Sequence, residues 1–313
     1  LACLLIFAAL VSAKFDAQSG FTGLIRFGEP RIERRLTILK DLPIATAKDS
    51  NGYDGQFYAQ IALDPTLQSP ELDQVLDAPS YRARRILVPA MAAIFGLGKP
   101  WWVLQAYALI NVLAWFALAW LLSTMLSGSD WKSFARWAGC LFSLGVLDSV
   151  RQSLVDLPAL VLLLLATRAH ERKQPASTTA WNALAGLAKE TSILGAIALH
   201  ADGLRHPATR LRAMLTLGSG ALPFFLWAAY VGQRFQDTLA TQSLGNFTWP
   251  VLGLLSHLST TVAQLLDGNL DSRHTFGLLA PVSLGLQLAV LWRSPLPTAP
   301  WWRIGAVYSI LFL

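Results

Sequence analysis

Asn51-Gly-Tyr-Asp-Gly-Gln-Phe-Tyr-Ala-Gln-Ile-Ala-Leu-Asp-Pro65 lies in a long polar loop between apolar segments, and it mixes aromatic, acidic and small residues. Gly52 and Gly55 flank Asp54, so the backbone can turn tightly there and leave the carboxylate uncovered. From Gln56 to Leu63 the spacing of Phe57 and Ile61, with Tyr58 and Ala62, predicts a helix with one apolar face. Asp54 then stands at or next to the helix N-terminus, where free N–H groups and the dipole favour an anion. A solvated N-cap on a surface helix satisfies the same pattern, so the rest of the chain must separate the two readings.

Outward from this stretch the chain is apolar. Of its 313 residues, 54% are hydrophobic and 14% charged, and the mean hydropathy is +0.44. That is the composition of a polytopic membrane protein rather than of a soluble core. Leu1 and Leu313 both stand inside apolar runs, so both ends are expected to be cut and the chain to be a piece of a longer one. Residues 1–13 have the apolar character of a signal-peptide core but no basic leader, and an anchoring helix is the expectation. Net charge is +6 with a pI near 9.5. Much of the Lys and Arg falls in short clusters between apolar segments, as in positive-inside loops, so nucleic-acid binding is not indicated. Cys3 and Cys140 are far apart in apolar runs and read as packing residues. His170, His200, His206, His257 and His274 form no metal-binding spacing, and neither a Walker A nor a G-x-G-x-x-G stretch is present.

The expected fold is all-α, a single polytopic transmembrane bundle over 1–313. Its long first extracytoplasmic loop, 14–85, carries interfacial helices. Within that loop Phe21-Thr-Gly-Leu-Ile-Arg-Phe27 is apolar enough to lie on the membrane interface. Residues 86–97 are too few to span a bilayer, which needs about 20, and read as a half-helix. Residues 101–126 cross, with Trp101 and Trp102 as an interfacial belt, and 134–147 cross again. Asp148-Ser-Val-Arg-Gln-Ser-Leu-Val-Asp156 interrupts the apolar pattern, which resumes over 157–167. Residues 178–199 are broken at Lys189-Glu190-Thr191-Ser192 into two short helices. A crossing over 213–231, a second extracytoplasmic loop over 232–274 and a crossing over 275–292 follow. Placing Lys132 and Arg136, the 168–173 cluster, Arg205 to Arg212 and the 293–303 turn in the cytoplasm sends four features to the opposite side. These are the Asp54 loop, the 148–156 break, the Lys189-Glu190 break and the loop after Val231.

Ionisable groups inside membrane segments are expensive and usually serve a site or pair with one another. Lys189 and Glu190 are adjacent, so on a helix they point to different sides, and snorkelling at a helix end is the alternative. Asp148 and Arg151, three apart, fit either a local ion pair or a site. Asp156 before Leu157-Pro158 fits an N-cap. Arg82, Arg84 and Arg85 cluster where the first loop returns to the membrane. They suit an anionic head group by fork geometry, or general attraction to anionic lipid. Asn246-Phe-Thr248 matches a glycosylation acceptor, a short and common pattern.

The chain resembles the GT-C superfamily of polytopic glycosyltransferases, and most of all bacterial relatives of its mannosyltransferase branch. The resemblance rests on the helix, long loop and half-helix at the start, and on Gly52-Tyr-Asp-Gly-Gln-Phe-Tyr58 within that loop. It rests further on Tyr81-Arg-Ala-Arg-Arg-Ile-Leu-Val-Pro89 and on the break at Leu187-Ala-Lys-Glu-Thr191. It implies an inverting membrane glycosyltransferase, a hexosyltransferase acting on a polyprenyl-phosphate-linked sugar at the extracytoplasmic face of a bacterial inner membrane. Asp54 matches the expected general base, with Asp16 as the other acid of the loop. Lys189 matches the basic residue facing the donor phosphate, with Arg82, Arg84 and Arg85 beside it. Tyr53, Gln56, Tyr58, Asp148, Arg151 and Glu190 are candidate supporting residues. A divalent cofactor held through Asp54 and Asp148 or Asp156 has no ligand spacing behind it. A transporter or flippase for a lipid-linked saccharide or anionic solute would use broken helices too. A non-catalytic membrane scaffold is the remaining alternative.

Overall fold

The computed structural model describes residues 1–126, 128, 130–235, 256, 259–260, 262–263, 272–293 and 299–311. The helices before the first long span are α1 (Ala2–Ser12), α2 (Thr37–Lys40), α3 (Gly55–Leu63), α4 (Leu72–Val75), α5 (Pro79–Ala83) and α6 (Leu87–Phe95). After these come α7 (Pro100–Met125), α8 (Trp131–Leu141), α9 (Leu144–Arg151), α10 (Asp156–Glu171) and α11 (Pro175–Ala188). The chain continues with α12 (Ser192–Leu199), α13 (Ala201–Arg205), α14 (Pro207–Arg234), α15 (Ser272–Arg293) and α16 (Pro300–Leu311). The all-α expectation is corrected in one detail: the first loop contains a two-residue parallel pair, β1 (Phe27–Gly28) on β2 (Thr46–Ala47).

Among the described residues, α7 and α14 are long and apolar enough to cross a membrane. At 1.5 Å per residue they measure about 39 and 42 Å, against a hydrocarbon core of about 30 Å. Proline at the first helical position starts both, where its missing N–H costs nothing. No charged residue occurs in α7, and its buried polar side chains are satisfied. Gln105 Oε1 accepts from Phe21 N–H (2.8 Å), Asn111 Nδ2 donates to the Leu154 carbonyl (2.8 Å), and the buried Trp115 donates to the Leu141 carbonyl (3.0 Å). Such pairing is obligatory where no water can substitute. Trp115 also stacks on Phe7 of α1, ring centroids 3.7 Å apart. Pro223 interrupts α14 and removes one of its backbone donors.

The expected second crossing, 134–147, is two helices rather than one. Ser143 adopts an extended conformation and starts α9, which breaks the run after α8. The two pieces still run back along α7. Trp137 Nε1 donates to the Ala119 carbonyl near one end of α7, and Tyr107 donates to the Ser153 carbonyl near the other. Cys140 is exposed rather than packed.

The first loop does not lie flat on an interface. Leu24, Ile25 and Phe27 are buried with Leu39, Ile61, Leu67 and Leu72, so the loop has a core of its own continuous with α7. Helix α3 is likewise not a surface helix with one apolar face, since every residue from Gly55 to Ala62 is buried. Its polar positions are paid for by backbone partners: Gln56 Oε1 accepts from Gly28 N–H (3.1 Å) and Gln60 Oε1 from Leu36 N–H (2.9 Å).

The helices sort the charges by end. Arg168 bonds Thr124 at the last turn of α7, and α10 ends there with His170 against His200. Arg303, at the start of α16, pairs with Asp202 in α13 (2.7 Å) at the same end. The opposite end gathers the first loop, the start of α10 and the α11–α12 break. The last turns of α14 join them there: Trp227 Nε1 donates to the Ala83 carbonyl (2.7 Å) and Arg234 Nε to the Leu67 carbonyl (2.7 Å). Of the expected second loop, 232–274, nearly all lies outside the described residues, including Asn246, Thr248 and the 249–255 stretch.

Candidate functional site

Arg82 lies in the last turn of α5 and Arg85 two residues beyond its end, and both guanidinium groups reach the Tyr58 hydroxyl. Arg82 is the centre of the cluster. Its Nη1 and Nη2 donate to the two Asp54 oxygens (2.5 and 2.8 Å), and its Nε and Nη2 donate to Asp77 (both 2.9 Å). Its guanidinium carbon lies 5.2 Å from the Phe57 ring centroid and 5.6 Å from that of Tyr58. Burial works against the Arg82 charge, but the hydrogen bonds to Asp77 and Asp54 outweigh it and raise its pKa.

Arg85 makes the second clamp. Its Nε and Nη2 donate to Glu190 (2.8 and 2.6 Å), its Nη1 donates to Tyr58 Oη (2.8 Å), and Nη2 also reaches Tyr81 Oη. Burial pushes the Glu190 carboxyl up, and the Arg85 hydrogen bonds more than reverse this, leaving it below the usual value. Lys189 Nζ bonds Asp156 Oδ1. Arg84 belongs to neither clamp. It makes no ion pair among the described residues, and its buried Nε has no hydrogen-bond partner.

Several sequence expectations are corrected here. Asp54 sits at the N-cap position of α3, but its side chain accepts no cap hydrogen bond because Arg82 holds both oxygens. Asp156 is the first residue of α10 rather than its cap, and its carboxylate serves Lys189. Lys189, Arg82 and Arg85 each already hold a carboxylate, so an incoming phosphate would meet them as paired cations. Gln56 is a scaffold residue, bonded to Gly28 N–H and the Asn51 carbonyl. Asp148 and Arg151 make the local pair, at 3.8 Å on exposed side chains. Asp16 accepts from Ser19 N–H, Gln18 N–H and the Ser19 hydroxyl, contacts that hold it below the usual carboxylate range and commit it to its own turn. Asp77 and Tyr81, which complete the clamps, went unnoticed in the sequence. Asp77 lies five residues before Arg82, just ahead of the Ala78-Pro79 helix start, a spacing with no standard signature.

Two glycines shape the approach. Gly52 has φ +75°, and a Cβ there would strike the Gly28 amide and the Arg26 carbonyl. At Gly55 a Cβ would overlap the Gln152 carbonyl oxygen, so α3 can lie against the turn after α9 only as glycine. That turn brings Asp148 and Asp156 within electrostatic reach of Tyr53, which is exposed beside Asp54.

The chain matches no protein-family model, no curated protein and no solved structure. Its chemistry has to be read from the side chains alone. Three paired cations, Arg82, Arg85 and Lys189, face four carboxylates, Asp54, Asp77, Glu190 and Asp156. An incoming anion must therefore compete with these acids or use Arg84. The Asp54 side chain remains 40% exposed, so an incoming hydroxyl can reach it. Beside the cluster, Leu87, Met91, Ile110, Ala114, Pro158 and Val161 line an apolar groove of about 210 Å³ between α6, α7 and α10. Among the described residues no three His, Cys, Asp or Glu side chains gather as metal ligands. Asp54 is held by Arg82 and Asp156 by Lys189, so neither carboxylate is free for a divalent ion.

Proposed function

We propose that the chain is a membrane glycosyltransferase that moves a sugar, with inversion, from a polyprenyl-phosphate donor to an acceptor hydroxyl. The observation that carries this reading is the half-exposed Asp54 carboxylate, fixed in orientation by Arg82, at the edge of a charged cluster that adjoins an apolar groove. A carboxylate has about four lone-pair sites, so each Asp54 oxygen can still accept a proton while bonded to Arg82. The acceptor oxygen forms a bond to the anomeric carbon and passes its proton to Asp54. The bond from that carbon to the phosphate oxygen breaks, and its electron pair leaves with the lipid phosphate. Arg84, which makes no ion pair among the described residues, and Lys189, a quarter exposed beside Asp156, are the cations able to meet that phosphate. Arg82 and Arg85 act as positioning residues. The apolar groove suits the first isoprene units of the donor. With the basic clusters in the cytoplasm of a bacterial cell, the cluster faces the extracytoplasmic side of the inner membrane.

The test is transfer from a labelled polyprenyl-phosphate sugar by the purified chain in detergent. Asp54→Asn should lower transfer by about two to four orders of magnitude, the usual contribution of a positioned base. Undiminished transfer by that variant would remove Asp54 from the chemistry. Movement of the lipid across vesicles without transfer or hydrolysis would support a flippase instead.

A further inference from the structure

We infer that Arg35, backed by Arg31, forms a second anion site in the first loop, one that takes a phosphate group. This inference does not depend on the role of Asp54. Glu29–Arg34 form a 3₁₀ helix, and the chain from there to Leu36 is strapped along α3. Leu36 N–H donates to Gln60 Oε1 (2.9 Å), and the Arg31 guanidinium carbon lies 5.1 Å from the Phe57 ring centroid. Arg82, which holds Asp54, lies 5.2 Å from the same ring. Arg35 is drawn in behind this strap. It is 8% exposed, its Nη2 donates to the Gly28 carbonyl (3.0 Å), and its guanidinium carbon lies 5.0 Å from the Phe27 ring centroid. Gly28 abuts the Asn51–Gly52 peptide, so the cation stands beside the turn that carries Asp54.

The charge on Arg35 has no counterpart. Buried arginines are normally paired, because a desolvated charge without an acid is costly. Among the described residues the other buried arginines, Arg82, Arg85 and Arg303, each hold a carboxylate. Arg35 is buried to the same degree and makes no ion pair among those residues. Burial lowers its pKa, and no neighbouring carboxylate raises it again. Its Nε is sealed without a partner, whereas Nη1 makes no hydrogen bond and is not sealed. One end of the fork is therefore open to the surface while Gly28 and Phe27 fix the rest. The acids of the strap are engaged elsewhere. Glu29 accepts from Asp49 N–H (3.2 Å), and the exposed Glu33 lies 3.9 Å from Lys40. Arg31, four residues before Arg35, also makes no ion pair among the described residues. A held guanidinium with a second one beside it suits phosphate oxygens, which accept several charge-assisted bonds at once. Ile32 and Ile38 are exposed on the same strap, so a lipid headgroup and a soluble phosphate are the two sources to separate.

The experiment follows thermal unfolding of the whole chain in nanodiscs of neutral phosphatidylcholine. Inorganic phosphate is titrated in at constant ionic strength, and a parallel series of nanodiscs carries increasing phosphatidate. The wild-type Tm should rise saturably in at least one series, since a ligand that binds only the folded chain stabilises it. Saturation by inorganic phosphate assigns a soluble ligand, and saturation by phosphatidate alone assigns a lipid headgroup. Arg35→Met should abolish the saturable rise. Arg31→Gln should weaken apparent affinity at least about tenfold, the loss of one charge-assisted bond. Arg34→Gln, exposed on the same strap, measures general attraction and should stay within about threefold of wild type. If Arg35→Met fails to fold, Arg35→Lys takes its place. It keeps the charge without the fork and should weaken affinity at least about tenfold. No saturable rise in either series would overturn the site. So would wild-type affinity in a folded Arg35 variant, or equal losses in Arg31→Gln and Arg34→Gln.

Discussion

Glu190→Gln isolates the contact that ties the first loop to the break between α11 and α12. The substitution keeps the shape of the side chain but turns one acceptor into an amide donor facing a guanidinium. Arg85 is only 7% exposed at its side chain and Glu190 26%, so the remaining charge is poorly solvated. Breaking a fully buried pair costs about 3–5 kcal/mol, and losing charge-assisted bonds about 1.5–3 kcal/mol. The exposure of Glu190 and the surviving bonds from Arg85 to Tyr58 and Tyr81 place this case at about 2–3 kcal/mol. The pH dependence has a definite sign. The folded pKa of Glu190 lies below its ordinary 4.5, so the pair's contribution is complete above 4.5 and is lost as pH falls through the folded value. Unfolding titrations in mixed micelles at pH 7 and at stepwise lower pH should therefore show a gap between wild type and variant that closes on acidification. Arg85→Met should be non-additive with Glu190→Gln, since the two share one contact. A variant within about 0.5 kcal/mol of wild type at pH 7, the ordinary surface range, would refute the reasoning, as would a gap that widens in acid.

Lys189→Gln should express normally and lose donor affinity and turnover, with Lys189→Arg recovering part of both. Asp156→Asn separates roles: if the lysine serves only to hold Asp156, this variant should match Lys189→Gln, whereas a phosphate-facing lysine leaves it active. Gly55→Ala forces α3 away from the Gln152 carbonyl and should destabilise the fold by about 1–3 kcal/mol, the range for overpacking, measured by the same titrations. In a background lacking Cys3 and Cys140, Arg172→Cys should resist labelling by an impermeant thiol reagent on intact cells. Labelling there would invert the proposed orientation.

Much of the helical layout was legible because it is local. Period, length and charge predicted α7, the break at Lys189 and the shortness of α6, since each depends on residues within one or two turns. The Asp54 turn was legible for the same reason, through Gly52 and Gly55. The partners of the charged residues were not. Arg85 meets Glu190 across 105 positions and Lys189 meets Asp156 across 33, distances over which periodicity carries no information. A basic residue in a helix break looks identical whether it awaits a phosphate or holds an aspartate. The place of Asp54 at the start of α3 was legible, but its engagement by Arg82 was not, because capping is a local rule and the arginine lies 28 positions away. The burial of α3 was missed because Gln56 and Gln60 look like a solvent face until their backbone partners are known. The edge-to-face contact of His170 with His200 was hidden similarly, since the two close separate helices 30 positions apart.

The pins on the first loop also set an order in time. Arg85 waits for Glu190, Ala83 for Trp227, and Thr66 and Leu67 for Tyr230 and Arg234, separations of 105, 144, 164 and 167 residues. At synthesis rates of about 5–20 residues per second these four contacts stay unmade for roughly five to thirty seconds after the loop leaves the ribosome, while Gln105 and Ser153 can already hold Phe21 and Leu24. During that interval Arg82 and Asp77, five residues apart, can already meet, while Arg85 has only its two tyrosines for company. A chain interrupted before Glu190 would leave the Arg85 guanidinium without its carboxylate. The last turns of α14 are the final clasp on the stretch from Thr66 to Ala83.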